Sequence, residues 1–207
     1  MPAEGILTVK GERASSQGAM RASQNDAGPA APPRPPRLVV LAGLPGAGKS
    51  TLAQALAERT GPLWLRVDTV EAAILKAGLS RSFETGLAAY LVVRDVAETH
   101  LRLGRDVVVD AVNGVEPGRR LWRELAEELG AERVVVEVTC PDPAVHRQRV
   151  ESRPMPTPPL PAPTWDEVLR REYEPWTEPV LSVDGTADLE SNLERVLAAF
   201  RPARPTA

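Results

Sequence analysis

One glycine-rich segment carries the residue types that bind the phosphates of a nucleotide. Residues 43–51 read Gly-Leu-Pro-Gly-Ala-Gly-Lys-Ser-Thr and fit the pattern Gly-x-x-x-x-Gly-Lys-Ser/Thr. The glycines let successive backbone N–H groups turn toward one anion, which the positive end of the following helix also attracts. Lys49 would reach the β- and γ-phosphates, Ser50 would present its hydroxyl to Mg²⁺, and Thr51 would approach the α-phosphate. The predicted cofactors are therefore a nucleoside triphosphate and Mg²⁺. The predicted nucleotide contacts are Gly43, Leu44, Pro45, Gly46, Ala47, Gly48, Lys49, Ser50 and Thr51.

The alternative is a glycine-rich turn that matches by chance, which background residue usage produces in roughly one in a hundred chains of this length. Here an apolar run at 38–42 predicts a strand directly before the motif, and a helical pattern begins directly after it at Gly48. Because phosphate loops connect a strand to a helix, this context favours a nucleotide site. Phosphate loops serve hydrolases, switches and kinases alike, so the reaction has to be argued from further residues.

Two aspartates follow apolar runs that are expected to be parallel strands. Asp68 follows the run that begins at Leu63, and Asp110 ends the run that begins at Val107. Open α/β sheets bind ligands at the carboxyl ends of their strands, so both carboxylates are expected beside the phosphates. Asp68 is a candidate base for an acceptor hydroxyl, and Asp110 is a candidate ligand of the Mg²⁺ shell through water. The alternatives are a helix cap for Asp68 and a bond to a neighbouring turn for Asp110.

Asn113 and a pair of arginines complete the candidate site. Asn113 could bind substrate, Asp110 or its own turn. Arg149 and Arg153 stand one helical turn apart and share a face, which would let them neutralise the charge of a transferring phosphoryl group. A solvated basic face is the ordinary alternative. With the proline-rich stretch that follows, residues 149–163 are predicted to form a lid, or else a plain loop.

Short apolar runs alternate with longer amphipathic segments from Arg37 onward, which is typical of strands and helices around a parallel sheet. The sequence therefore predicts one α/β domain over residues 37–201 and a tail at 202–207. The predicted strands are 38–42, 63–67, 106–110, 133–139 and 180–183. The predicted helices are 48–59, 70–77, 82–103, 117–129, 143–152, 165–173 and 188–200.

Composition limits the classes of partner and of location. A chain of 207 residues is long enough for one well-packed domain, and its formal charge of −3 gives no overall attraction to nucleic acid or to an anionic membrane. Small-molecule partners are therefore expected. No apolar run approaches the roughly 20 residues that cross a bilayer, and the amino terminus lacks the apolar stretch of a secretory signal. We expect a cytoplasmic protein with a disordered, Pro/Ala/Gly-rich leader at residues 1–36.

The order of these motifs resembles the AAA-33 group of P-loop kinases, which contains chloramphenicol phosphotransferase, zeta toxins and the kinase domain of phage polynucleotide kinase. The resemblance covers roughly residues 37–200 and implies a three-layer P-loop NTPase fold. Its parallel five-stranded sheet would have the order 2-3-1-4-5 and would be flanked by helices. It also implies that the nucleotide base packs near the loop after the fifth strand, around residues 184–188.

The resemblance also implies roles for individual residues. Asp68 falls on the position of the base for the acceptor hydroxyl. The Asp-x-x-Asn motif that ends the third strand in polynucleotide-kinase-like members reads Asp110 to Asn113 here, and their Arg-x-x-x-Arg lid reads Arg149 to Arg153. Many of those members have a polar Ser-Asp or Asp-Asp beside the base and an arginine three residues after it, where this chain has Arg66-Val67-Asp68 and Glu71.

The predicted activity is ATP-dependent transfer of the γ-phosphoryl group to a hydroxyl of a small molecule, such as an antibiotic, nucleoside or sugar derivative. Between residues 66 and 105 basic and acidic residues are interspersed, so this presumptive acceptor region offers no cationic track for nucleic acid. Apolar residues there, including Leu79, Phe83 and Leu87, would line a pocket or belong to the core. The alternatives are a 5′-hydroxyl polynucleotide kinase, a zeta-toxin-like nucleotide-sugar kinase, and a nucleotide-dependent switch or binding module.

Overall fold

The structure is a computed structural model and describes residues 34–152 and 160–199. Strands and helices alternate along the chain as predicted. The strands are β1 Arg37–Ala42, β2 Leu63–Arg66, β3 Val107–Asp110, β4 Glu132–Thr139 and β5 Leu181–Asp184. The helices are α1 Lys49–Thr60, α2 Val67–Lys76, α3 Phe83–Arg102, α4 Glu116–Leu129, α5 Pro143–Glu151, α6 Trp165–Arg170 and α7 Leu189–Ala198.

The five strands form one parallel sheet in the order β2-β3-β1-β4-β5, which confirms the predicted order. The central strand β1 lies between β3 and β4, with Leu38 opposite both Val107 and Arg133. All four residues of β3 are buried, because helices cover both faces of the sheet. Strands buried on both faces have continuous apolar sequences, and this explains why β3 was recognisable from the sequence.

Alternate residues of the central strand pack into two separate cores. Leu38 and Val40 lie in the core that α3 and α4 cover, whereas Val39 and Leu41 lie in the core that α1 and α7 cover. This division follows from the two-residue period of a strand. The molecule therefore has three layers, and the carboxyl ends of all five strands meet at one edge of the sheet, where the site is expected.

Helix boundaries agree with the sequence except at α2 and α6. Gly61 and Gly130 follow α1 and α4 in the left-handed conformation, as their stop signals predict. In contrast, α2 begins at Val67 and not near Val70, because β2 passes directly into the helix with Arg66 as its N-cap residue. Asp68 therefore lies inside the first turn, and the alternative that it caps α2 is wrong. α6 ends at Arg170, three residues before the predicted end.

The amino-terminal boundary of the fold lies before the predicted one. Arg34 donates hydrogen bonds of 2.8 and 2.7 Å to the two carboxylate oxygens of Asp106, and the carbonyl of Pro36 accepts a bond from the N–H of Glu132. Residues 34–36 thus belong to the fold rather than to the leader. The rest of the predicted leader and the predicted tail lie outside the described residues. Within those residues, no helix has both the length and the apolar content to cross a membrane.

Candidate active site

The phosphate loop lies between β1 and α1, and its shape depends on close backbone contacts. Gly43 has φ 136°, and a Cβ atom there would lie 2.2 Å from the carbonyl oxygen of Val138 in β4. The N–H of Gly43 donates to the carbonyl of Val112, which follows β3. Only glycine fits a position with this φ and this contact. The loop is therefore fixed against the two strands that flank β1.

Lys49 and Ser50 begin α1 at the end of the loop, where the backbone N–H groups of the helix are unpaired within it. The Lys49 side chain is buried, and its Nζ donates a 3.0 Å hydrogen bond to the carbonyl of Leu44. A lysine held over the loop in this way lies where the phosphates of a nucleotide are expected.

A cavity of about 380 Å³ opens directly over this loop. The loop after β5, near which the resemblance places the nucleotide base, forms its opposite wall. The carbonyl of Asp184 accepts a 2.7 Å bond from the Asn192 side chain, which ties that loop to α7. A Cβ atom on Gly185 would lie 1.9 Å from the carbonyl oxygen of Ala47, so this loop contacts the phosphate loop itself. The lining residues are Gly46, Gly48, Lys49, Ser50, Thr51, Leu52, Val138, Arg149, Gly185, Ala187, Leu189 and Asn192.

α5 contributes one predicted and one unpredicted residue to the loop. Arg149 lines the cavity and donates a 3.0 Å bond from Nη1 to the carbonyl of Gly185. His146 is buried, and its Nε2 donates to the carbonyl of Pro45 at 2.8 Å. Its ring also meets Trp165 of α6 edge to face, with centroids 5.2 Å apart. The role of His146 could not be predicted from the sequence, because His146 and Pro45 are 101 residues apart in the chain and such a contact leaves no local pattern. Arg153 and residues 153–159 of the predicted lid lie outside the described residues.

Asp110 is buried at the carboxyl end of β3, with 5% of its side chain exposed. Its Oδ2 atom lies 3.4 Å from Nε of Arg66, its register neighbour on β2, but makes no hydrogen bond to any described residue. The expected alternative, a bond to a neighbouring turn, is therefore not observed for this atom. A buried carboxylate oxygen without a hydrogen bond is a suitable acceptor for metal-bound water. Asp110 thus fits the predicted role in the Mg²⁺ shell, and Ser50 lines the cavity over the phosphate loop.

Asn113 has a structural role in the turn after β3. Its side chain is 1% exposed, its Nδ2 donates to the carbonyl of Leu41 at 2.8 Å, and its Oδ1 accepts from the indole of Trp122 at 2.9 Å. It also has φ 47°, a conformation that asparagine tolerates better than most residues. These bonds occupy both ends of the amide, so the structure corrects the expectation that Asn113 binds substrate.

Arg119 of α4 holds this turn against the segment that follows α6. Its side chain is 3% exposed and donates to the carbonyls of Asn113, Gly114, Glu174 and Pro175. Its guanidinium also lies 3.7 Å from the ring centre of Trp176. The sequence carried no sign of this role, because an arginine on an amphipathic helix usually faces solvent.

The candidate base Asp68 belongs to a set of four charged residues that interact electrostatically through Glu71. We call this set the acceptor cluster: Asp68 and Glu71 of α2, Arg81 before α3, and Arg171 after α6. Burial raises the pKa of Glu71, the charge of Arg81 opposes that rise, and Asp68 adds to it. Burial raises the pKa of Tyr90 to about 12, and Asp68 adds to this shift as well. Asp68 is therefore electrostatically close to both groups.

Leu79 and Phe83, expected in a pocket or core, are 58% and 79% exposed at the surface.

Residues 38–175 match the family model AAA_33, described as an AAA domain. The chain belongs to this family. The match extends from β1 past α6, so it includes the phosphate loop, both strand-end aspartates and the predicted lid. No curated protein matches the chain.

Solved structures with the same fold as this AAA_33 chain include three kinases. The APS kinase of Mycobacterium tuberculosis, in complex with AMPPNP and APS, is 20% identical with a TM-score of 0.61, over 81% of this chain and 98% of its own. A gluconokinase from Sinorhizobium meliloti 1021 is 20% identical with a TM-score of 0.59, over 80% and 91%. A sugar kinase from Janibacter sp. HTCC2649 is 19% identical with a TM-score of 0.60, over 79% and 94%.

The phosphate loop, Lys49 and Arg149 surround the cavity at one edge of the sheet. Asp68 and Asp110 lie at the carboxyl ends of the neighbouring strands β2 and β3, at the same edge. A phosphate loop next to two strand-end carboxylates is an arrangement that phosphoryl transfer can use.

Proposed function

We propose that the protein is a kinase that transfers the γ-phosphoryl group of ATP to a hydroxyl of a small molecule. The observation that carries this proposal is the position of Asp68 in the first turn of α2, directly after β2, at the sheet edge that also holds the phosphate loop. A switch would need the phosphate loop and Asp110, but it would not need a second carboxylate on the acceptor side.

The comparisons support a small-molecule acceptor. Three structures that share this fold are an APS kinase, a gluconokinase and a sugar kinase, and the first was solved with both a nucleotide analogue and APS. Each name describes a kinase of a small molecule. The low identity limits this support to the class of reaction, and the identity of the acceptor must come from experiment.

The proposed mechanism is direct in-line transfer, in which the acceptor oxygen forms a bond to the γ-phosphorus of ATP while the bond from that phosphorus to the β–γ bridging oxygen breaks and ADP leaves. Lys49 and the N–H groups of the phosphate loop bind the β- and γ-phosphates, and Asp68 orients the acceptor hydroxyl and accepts its proton. Ser50 and Asp110 would hold Mg²⁺, which when bound neutralises phosphate charge. Arg149 reaches the cavity from α5 and stabilises the charge that develops on the transferred group. Arg153 is proposed to join Arg149 in this role.

The test is a transfer screen with γ-labelled ATP, Mg²⁺ and a panel of antibiotics, nucleosides, sugars, nucleotide sugars and 5′-hydroxyl oligonucleotides. We expect a labelled small molecule with the wild-type protein and none with Lys49→Ala. Lys76→Ala is the matched control, because Lys76 is an exposed lysine at the end of α2. A labelled oligonucleotide would replace the proposal with a polynucleotide kinase. Nucleotide binding without any labelled acceptor would favour a switch.

A further inference from the structure

The acceptor cluster contains a second carboxylate, Glu71, to which the proposed mechanism assigns no task. Asp68 and Glu71 are three residues apart on α2, so their side chains share a face of the helix with Cβ atoms about 5–6 Å apart. The Glu71 side chain is 15% exposed, which is low for a glutamate that no buried cation neutralises. Its position next to the candidate base therefore requires an explanation.

The positively charged residues of the cluster are its exposed members. Nε of Arg81 lies 3.7 Å from Oε1 of Glu71, and 47% of the Arg81 side chain is exposed. Arg171 is also exposed, and its charge opposes the rise that burial causes in the pKa of Glu71. Asp68 and Glu71, in contrast, are both half-buried. An anionic substrate group beside the reacting hydroxyl would therefore lie close to two carboxylates.

An ionised carboxylate can only accept hydrogen bonds. Glu71 has the ion pair with Arg81 but accepts no hydrogen bond from a described residue. An acceptor hydroxyl bound at Asp68 would bring the neighbouring substrate group to the helix face that carries Glu71, where a donor on that group would supply the missing hydrogen bond. Both a hydroxyl and an ammonium group are donors of this kind.

We propose that Glu71 is a specificity-determining residue that selects acceptors with a second hydrogen-bond donor, a hydroxyl or an ammonium group, next to the hydroxyl that is phosphorylated. This inference rests on the proposed kinase function. It assigns Glu71 to substrate choice, and it leaves nucleotide binding and proton transfer to the residues named above.

The test compares three matched alcohols: cyclohexanol, 1,2-cyclohexanediol and 2-aminocyclohexanol, added to the transfer screen with purified full-length protein. For the wild type we expect kcat/KM to be at least about tenfold higher for the diol or the amino alcohol than for cyclohexanol, the effect of one hydrogen bond to a charged group. In Glu71→Leu this preference should fall to within about twofold. ATP affinity should stay at the wild-type value.

Further variants separate the two donors and control for misfolding. Glu71→Gln keeps the shape and a hydrogen-bond acceptor but removes the charge, so it should retain a preference for the diol and lose one for the amino alcohol. It also serves if Glu71→Leu does not fold. Glu127→Gln, an exposed glutamate on α4, should match the wild type in every measurement. The inference on Glu71 is overturned, and the kinase proposal is not, by either of two results. One is a wild type that shows no preference for the diol or the amino alcohol over cyclohexanol, and the other is a preference that Glu71→Leu retains. A wild type that phosphorylates none of the screened alcohols overturns the kinase proposal as well.

Discussion

Arg66 and Asp110 lie opposite each other at the carboxyl ends of β2 and β3, with Nε and Oδ2 separated by 3.4 Å. Neither atom makes a hydrogen bond to a described residue, although the Arg66 guanidinium also lies 5.5 Å from the ring centre of Trp64. The pair gains Coulomb attraction while leaving hydrogen-bonding capacity unused at both ends. Bound Mg²⁺ would therefore compete with Arg66 for the same carboxylate.

Replacing Arg66 by methionine should strengthen the response of nucleotide binding to Mg²⁺. Removal of the competing cation should lower the half-saturating Mg²⁺ concentration by about fivefold or more, which corresponds to about 1 kcal/mol or more. The free energy of unfolding without metal should fall by about 3 kcal/mol, because a buried carboxylate loses its partner. Titration calorimetry with ADP at several Mg²⁺ concentrations measures the first effect, and urea unfolding in EDTA measures the second.

The control for this prediction is Arg105→Met, which removes an exposed arginine just before β3, at the opposite edge of the sheet. This variant should leave the half-saturating Mg²⁺ concentration and the free energy of unfolding unchanged. If Arg66→Met required as much Mg²⁺ as the wild type, Asp110 would not contact the metal shell.

His146 should act on nucleotide affinity by positioning the phosphate loop. His146→Leu removes the bond to the carbonyl of Pro45 and leaves that part-buried oxygen without this partner, which costs about 1–1.5 kcal/mol. We expect ATP affinity to fall by about tenfold. His146→Gln can donate to the same carbonyl and should recover most of the affinity. Equal losses in the two variants would mean that packing against Trp165, and not the hydrogen bond, carries the effect.

Asn113→Ala should destabilise the protein without any ligand present. The substitution leaves the Trp122 indole N–H and the carbonyl of Leu41 without partners, and each loss costs about 1–3 kcal/mol. Chemical unfolding of the free protein should show a loss of about 2–6 kcal/mol. Asn113→Asp keeps an acceptor for Trp122 but turns a buried carboxylate oxygen toward the carbonyl of Leu41, so it should lose at least as much. If Asn113→Ala had wild-type stability but a raised KM for the acceptor, the substrate-binding role predicted from the sequence would be restored.

Residues whose role depends on local pattern could be predicted from the sequence, and residues with distant partners could not. The phosphate loop was recognisable because glycine spacing, strand and helix are contiguous between residues 38 and 60. The sheet order followed from the resemblance. His146 and Arg119 escaped prediction because their partners, Pro45 and Glu174, are about 100 and 55 residues away in the chain. For Asn113 the sequence left three partners open, substrate, Asp110 and its own turn, whereas its side chain bonds to Leu41 and Trp122. The sequence does not show which way a turn faces.

The bond between Arg34 and Asp106 predicts a dependence of stability on pH. Burial alone would raise the pKa of Asp106, but hydrogen bonds from Arg34 and from the N–H of Arg37 outweigh it and lower the pKa below its usual range. A carboxyl group with a lowered pKa stabilises the fold above its unfolded pKa of about 3.9 and loses that effect as pH falls through the folded value. Asp106→Asn should therefore melt a few degrees below the wild type at pH 7, and the two melting temperatures should converge below about pH 4.

Thermal melts of the wild type and Asp106→Asn between pH 3 and 8 measure this difference. Asp166→Asn is the control, because Asp166 is exposed and its pair with Arg170 spans one turn of a single helix, where exposed pairs contribute little. Its melting curve should follow the wild type throughout. Arg34→Ala should reproduce part of the Asp106→Asn loss at pH 7, since it removes two of the three bonds to the carboxylate. A difference in melting temperature between wild type and Asp106→Asn that stays constant down to pH 3 would show that ionisation of Asp106 is not linked to folding. In that case the backbone contacts with β4, and not the charge of Asp106, would hold residues 34–36.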